Sequence, residues 1–221
     1  MQTVCGAIIC YNEENVIRTA LSSLKRITNK INVVDSISTD KTMEILSEFG
    51  CNIKQHPIDN FRDQKNRVLD MCDSDWIFLL DADEYMDEKL ISNIQRLINN
   101  TDGIDSYSFP RKNYIDGDGP QGFPDYQTRL YKNYIRYIGN ALHEMVLPSC
   151  KKHVYVDDCG TIIHEKSFER QKKQNRLYYT LAPKMYAVKP PGAENVEIDI
   201  NTIKPTEDIN IYQEYINNNR N

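Results

Sequence analysis

The sequence has no Cys-x-x-Cys pair, no apolar run near the length of a membrane span, no excess of basic charge and few histidines. Each shortage removes a class of protein. Six cysteines (Cys5, Cys10, Cys51, Cys72, Cys150, Cys159) are unpaired in sequence, and Met1 leads directly into a strand-like run with no secretory signal. They read as reduced, mostly buried thiols of an intracellular, cytoplasmic chain. No segment approaches the roughly 20 apolar residues that span a bilayer, so a soluble chain is expected, with at most peripheral contact at the cytoplasmic membrane face. With 27 Lys and Arg against 32 Asp and Glu, a net charge of -5 and a pI near 5.4, no basic field exists for nucleic acid. His143-Glu144 and His164-Glu165 resemble halves of a zinc-protease helix motif, but Leu147 and Phe168 stand where the second His is required.

What is present begins with length. At 221 residues the chain suits one sizeable domain with an appendage, here residues 1–188 and a linker or peripheral arm over 189–221 beyond Pro190-Pro191-Gly192. The first half alternates strand and helix patterns at short intervals, as parallel βαβ units do. Strands are expected over Val4 to Cys10, Lys30 to Asp35, Cys51 to Gln55 and Asp75 to Leu80. Helices are expected over Glu14 to Leu24, Asp40 to Phe49, Phe61 to Cys72 and Asp87 to Ile98. The second half loses this rhythm. Short β-like segments (Ile104 to Pro110, Thr128 to Tyr131, His153 to Val156, Thr161 to Ile163) flank a Gly/Pro-rich Asp116 to Asp125, expected as a mobile loop. Ser167 can cap a basic helix of about twenty residues beginning at Phe168. The fold class is α/β, with a mainly parallel sheet and a less regular second half.

The densest signal is Trp76-Ile77-Phe78-Leu79-Leu80-Asp81-Ala82-Asp83-Glu84, an apolar run that ends in three carboxylates. A buried strand delivering Asp81 and Asp83 at its carboxyl end puts two hard oxygen ligands where α/β sheets bind ligands. An ion held by one or two carboxylates shares its other positions with water and substrate phosphates, which suggests a nucleotide diphosphate. The bland alternative is that Asp81 to Asp87 cap the next helix. An EF-hand starting at Asp81 is excluded, because Met86 stands where Gly is needed and Ser92 where Glu is needed.

Three segments in order, Ile9-Cys10-Tyr11-Asn12-Glu13-Glu14, Val33-Val34-Asp35-Ser36-Ile37-Ser38-Thr39-Asp40-Lys41-Thr42 and Leu80-Asp81-Ala82-Asp83-Glu84, resemble family 2 glycosyltransferases of the GT-A (Rossmann-like) fold over about residues 3 to 180. Within that family the chain is similar to small bacterial and viral enzymes of the lipopolysaccharide-core glucosyltransferase type. The resemblance implies a nucleotide site built by Tyr11, Asn12, Glu13, Asp35, Lys65, Asp81 and Ala82. Glu13 can accept from ribose hydroxyls, and Asp35 from the imide N–H of uracil or thymine, which favours a UDP-sugar donor. Lys65 is a sugar or phosphate contact, or one charge of a solvated helix face. Asp83, with Asp81, matches the DxD motif that holds Mn²⁺ or Mg²⁺. His164 resembles a third ligand, and an imidazole favours Mn²⁺; otherwise it is a hydrogen-bonded surface residue. The basic helix carrying Arg170 can close over the phosphates.

The resemblance also implies inversion at the anomeric carbon, which needs a carboxylate base. Glu144 ranks first for it and Asp125 second. Glu84 suits a supporting or sugar-hydroxyl role, and Arg129, with Tyr126 and Tyr131, an acceptor-side role. The QxxRW motif of processive polymerases is absent, so transfer of a single hexose to a carbohydrate, lipid-linked or protein acceptor is implied. Two alternatives stand beside this reading. A sugar-nucleotidyltransferase needs a Gly-rich basic loop where Asn12-Glu13-Glu14 stands, and an inactive sugar-nucleotide or glycan-binding module would lack the base.

Overall fold

A computed structural model describes residues 1–100, 102–139, 144–146 and 149–181. Its first half follows the expected alternation: β1 (Val4–Cys10), α1 (Ile17–Lys25), β2 (Ile31–Asp35), α2 (Thr42–Glu48), β3 (Asn52–Gln55), α3 (Phe61–Leu69) and β4 (Trp76–Asp81). Next come β5 (Glu84–Met86), α4 (Glu88–Ile98), β6 (Ser106–Ile115), β7 (Asp118–Lys132), β8 (Ile138–Gly139), β9 (Glu144–Met145), β10 (His153–Tyr155), β11 (Ile162–Lys166) and α5 (Phe168–Leu181). The main sheet runs β3-β2-β1-β4-β7-β6-β11-β5, with β10 beside β6. The first four strands are mutually parallel, and β7 then pairs antiparallel with both β4 and β6. Chain direction from β1 goes outward to β2 on one side and to β4 on the other. The crevice at the carboxyl ends of β1 and β4 is therefore a topological switch point, where open α/β sheets bind ligands.

Alternation along the strands sorts the core into two layers. Trp76, Phe78 and Leu80 join Ile8 and Leu21 on one face; Ile77 and Leu79 join Ala7, Val68 and Leu69 on the other. A strand buried on both faces must be almost wholly apolar, which is why β4 was easy to read. The same alternation, continued one residue, aims Asp81 toward α3. Asp83 lies beyond β4 in the short turn before β5.

Several expectations need correction. Residues 116 to 125 form the arm of a hairpin and not a loop. Asp116 and Gly117, with φ of 49° and 84°, make the tight turn, and β7 starts at Asp118. Both central residues in the left-handed region are what a two-residue hairpin turn of strand-compatible twist requires, and Asp-Gly supplies them. Pro120 and Pro124 fall where the β6–β7 register shifts, positions at which a missing N–H is tolerated. Strand β5 was not expected; it pairs with β11, placing Glu84 opposite His164. Helix α1 begins three residues late. The Glu14 amide donates to Asp40, and the Glu14 carboxylate accepts from the Lys41 amide, which fastens this segment to the β2–α2 loop and keeps it out of the helix.

The six cysteines are free thiols, and four are buried. No helix among the described residues is long and apolar enough to cross a membrane. The proposed arm at 189–221 lies outside the described residues. Gly160 is a packing glycine: at φ +111° its missing Cβ would stand 2.2 Å from the Leu90 amide nitrogen, at the start of α4.

Candidate active site

One open cleft of about 1870 Å³ lies at the carboxyl ends of β1 and β4. It is lined by Tyr11, Asn12, Glu13, Lys65, Asp81, Ala82, Asp83, Tyr126, Arg129, His164 and Arg170, among others. The cleft is open to solvent and larger than the roughly 300–1,000 Å³ typical of a single small-ligand pocket.

The two aspartates of the acidic motif face different partners. Asp81 Oδ2 accepts from Arg129 at 2.5 Å, and Oδ1 stands 3.6 Å from Lys65 Nζ. Burial alone would raise the Asp81 carboxyl, but the Arg129, Lys65 and Arg111 charges outweigh it and hold the group well below the ordinary carboxylate range. Asp83 Oδ2 is 3.3 Å from His164 Nε2 and accepts from Arg170 Nε at 3.0 Å. Here burial again pushes upward; a proton on His164 Nε2 and the Arg170 charge would both bring Asp83 down, toward about 2. Arg170 also grips Glu13, with nitrogens 2.8 and 2.7 Å from its two oxygens. Burial wins over that pairing and leaves the Glu13 carboxyl raised.

The donor set fits a small divalent ion in part. Adjacent oxygen or nitrogen ligands of an octahedral ion with bonds of about 2.1 Å stand about 3 Å apart, close to the Asp83–His164 spacing. Among the described residues no cluster of three or more His, Cys, Asp or Glu gathers around one point. Asp81, expected as a ligand, is turned to Arg129 and Lys65. Two protein donors with the remaining positions left to phosphate and water is the usual arrangement for Mg²⁺-like ions.

Of the other expected site residues, Asn12 is engaged within the protein. Its backbone, at φ 54°, donates to Ser38 Oγ, and its Oδ1 accepts from the Thr39 amide at 2.7 Å. Asp35 is fully buried, accepting from Ser38, Gln55 and the Cys10 thiol. A contact from Asp35 to a base would have to replace one of these donors. Tyr11 is more than half exposed at the cleft edge, while Ala82 is buried in the wall. Asp125 accepts from Arg111 (2.6 and 2.9 Å), Asn113 (3.0 Å) and Gln127 (2.8 Å), and these donors outweigh burial to hold its carboxyl below the ordinary range. The Glu144 side chain and His143 lie outside the described residues.

Of the residues expected on the acceptor side, Tyr126 and Arg129 line the cleft, and Tyr131 does not. Tyr131 is fully buried with its ring edge-on to Tyr137, and Arg129 is 3% exposed between Asp81 and Glu84. Sequence reasoning missed Arg111 and Asn113. They alternate on β6 with Tyr107 and Phe109, so the face that carries core at one end carries the site at the other. Arg111 bridges Glu84 and Asp125, and Asn113 touches His164. Only the strand register could have exposed them.

The family model for glycosyl transferase family 2 matches residues 7–143. The chain belongs to glycosyl transferase family 2. It is 30% identical over 167 residues to an uncharacterised glycosyltransferase of Rickettsia prowazekii, covering 73% of this chain and 57% of that one. It is 33% identical over 187 residues to the lipopolysaccharide core biosynthesis glycosyltransferase LpsC of Rhizobium meliloti, covering 79% and 68%. The chain thus spans little more than half the length of the Rickettsia relative. Among solved structures, glucosyl-3-phosphoglycerate synthase from Mycobacterium tuberculosis, in complex with Mn²⁺, UDP and glucosyl-3-phosphoglycerate, superposes with a TM-score of 0.56 at 14% identity, covering 83% of this chain and 80% of that one. The fold is GT-A, as the sequence motifs implied.

Proposed function

We propose that this family 2 protein is a metal-dependent, inverting glycosyltransferase that moves one hexose from a UDP-sugar to a carbohydrate acceptor, free or lipid-linked, on the cytoplasmic side of a membrane. The observation that carries the reading is the Asp83–His164 pair, 3.3 Å apart in the cleft beside Glu13. Asp83 and His164 would hold Mn²⁺, which supplies Lewis-acid neutralisation of the departing diphosphate. Glu13 exchanges Arg170 for ribose hydroxyls, and Asp35 exchanges Gln55 or Ser38 for the uracil imide. Lys65 and the released Arg170 guanidinium bind phosphate oxygens, for which a planar five-donor group is well shaped.

The acceptor hydroxyl oxygen bonds to the anomeric carbon as the bond from that carbon to the UDP oxygen breaks. UDP leaves with the electron pair, and the hydroxyl proton passes to a carboxylate. Glu144 is the proposed base. Asp125, held by four hydrogen bonds and below the ordinary carboxylate range, is a poor proton acceptor. The Rickettsia and LpsC relatives support a glycan-building role, and LpsC suggests a lipopolysaccharide-like acceptor. The test is release of UDP from a panel of UDP-hexoses with Mn²⁺, in the native chain, Asp83→Ala and Glu144→Gln. Release by the native chain alone supports the proposal. Equal release by Asp83→Ala removes the metal site from it, and no release from any donor by the native chain favours the inactive binding module.

A further inference from the structure

We infer that Asn113, held by Asp125, is a positioning residue that sets the tautomer of His164 and so presents a bare Nε2 to a cation shared with Asp83. The inference rests on the metal-site reading above, and its evidence is the hydrogen-bond directions around one amide. Asn113 Nδ2 faces two acceptors, Asp125 Oδ2 at 3.0 Å and the Gln121 carbonyl at 3.4 Å. An amide nitrogen only donates, so this fixes which end of the group is which. Its Oδ1 must then be the atom 2.8 Å from His164 Nδ1, and an amide oxygen only accepts. The proton therefore sits on Nδ1. In a neutral ring that leaves the lone pair on Nε2, which points at Asp83 Oδ2.

Two acceptors facing each other at 3.3 Å repel unless a proton or a cation lies between them. Without the Asn113 anchor a neutral ring would place its proton on Nε2 and donate it to Asp83, and an incoming ion would have to displace that proton. The anchor is itself fixed. Arg111 donates twice to Asp125 Oδ2 and once to the buried Glu84, and Gln127 holds Asp125 Oδ1. The strand register places these groups side by side: His164 lies opposite Asn113, and Arg111 opposite Asp125. Outer partners that orient a ligating imidazole typically change metal affinity by about 10- to 100-fold when removed.

The test reads the tautomer directly. The chain has four histidines, so two-bond proton–nitrogen correlation spectra are sparse, and His164→Gln assigns the ring. At about pH 9, above the ordinary imidazole range, the metal-free native ring is expected with its proton on Nδ1. In Asn113→Leu the proton moves to Nε2. Asp125→Asn, which keeps the volume and frees the Asn113 amide to rotate, is expected to give a mixture. In parallel, Mn²⁺ binding in the presence of UDP, followed by the paramagnetic signal of the free ion, should weaken about 10- to 100-fold in Asn113→Leu and less in Asp125→Asn. If Asn113→Leu does not fold, Asp125→Asn decides alone. A native ring protonated on Nε2, or the native tautomer retained in the folded variants, overturns the inference. Failure of the native protein to bind Mn²⁺ with UDP would instead overturn the metal-site reading and leave the tautomer result standing.

Discussion

The parallel half of the sheet and the hairpin half meet at the same cleft but are held together differently. In the parallel half, β1, β2 and β4 are sandwiched between two apolar layers and contribute to the site only through residues at or just past their carboxyl ends. In the hairpin half, apolar packing stops at Phe109 and Leu130. Beyond it Arg111, Asn113, Asp125 and Arg129 interlock with Glu84, Asp81 and His164. Burial of hydrocarbon therefore positions the proposed donor side, whereas charge pairing positions the opposite wall. The two aspartates of one motif stand where the halves meet: Asp81 answers to Arg129 and Lys65, and Asp83 to His164 and Arg170.

The largest expected effect lies in the apolar layer. Phe78, fully buried and stacked 5.9 Å from Phe109, joins the two halves. Phe78→Ala should lower unfolding free energy by about 3–5 kcal/mol. Urea denaturation checks this, and a loss under about 1 kcal/mol would mean the halves are joined elsewhere. Next is Arg129→Met, which leaves the buried Glu84 to Arg111 and Asp81 to Lys65. A loss of about 3 kcal/mol is expected, the low end for removing one partner of a buried pair, because each carboxylate keeps another cation. A neutral or stabilising result would show that the polar wall is held by packing after all.

Acidification should separate the halves more gently. Asp125 is held below its ordinary 3.8, so the stability it adds is present above about 4 and is lost as pH falls through its lowered native value. The native advantage over Asp125→Asn should therefore shrink as pH drops below about 4, as read from denaturation midpoints. A difference independent of pH would deny the ion pair. The smallest effect concerns Arg170, which is partly exposed and occupies the Asp83 carboxylate. Arg170→Ala should tighten Mn²⁺ binding without nucleotide by about two- to five-fold, the worth of a part-exposed pair at about 0.5–1 kcal/mol. Unchanged affinity would show that the arginine does not compete.

The contrast also explains what was legible in sequence. β4 and its acidic end could be read because a strand buried on both faces has to be apolar and its end has to be polar. Asn12, Glu13, Asp35, Asp81 and Asp83 are candidates on that logic, and the family resemblance orders them. His164 was reached through the resemblance alone. Arg111, Asn113 and strand β5 were missed because their meaning lies in which strand stands beside which, and no local pattern encodes that. Asp116-Gly117 signals the hairpin turn, but the surrounding glycine and proline content is also what a loop carries, so composition alone points the wrong way. Tyr131 reads as a surface aromatic from side-chain type alone, and only its burial removes it from the cleft.

The most direct test of the proposed donor site is calorimetric titration of UDP into the native chain and Asp83→Ala, with Mn²⁺ and then with the metal chelated. Binding by the native chain that requires Mn²⁺ and is lost in Asp83→Ala is the expected result. Binding that is indifferent to metal and to Asp83, or no binding of UDP under any metal condition, would contradict it.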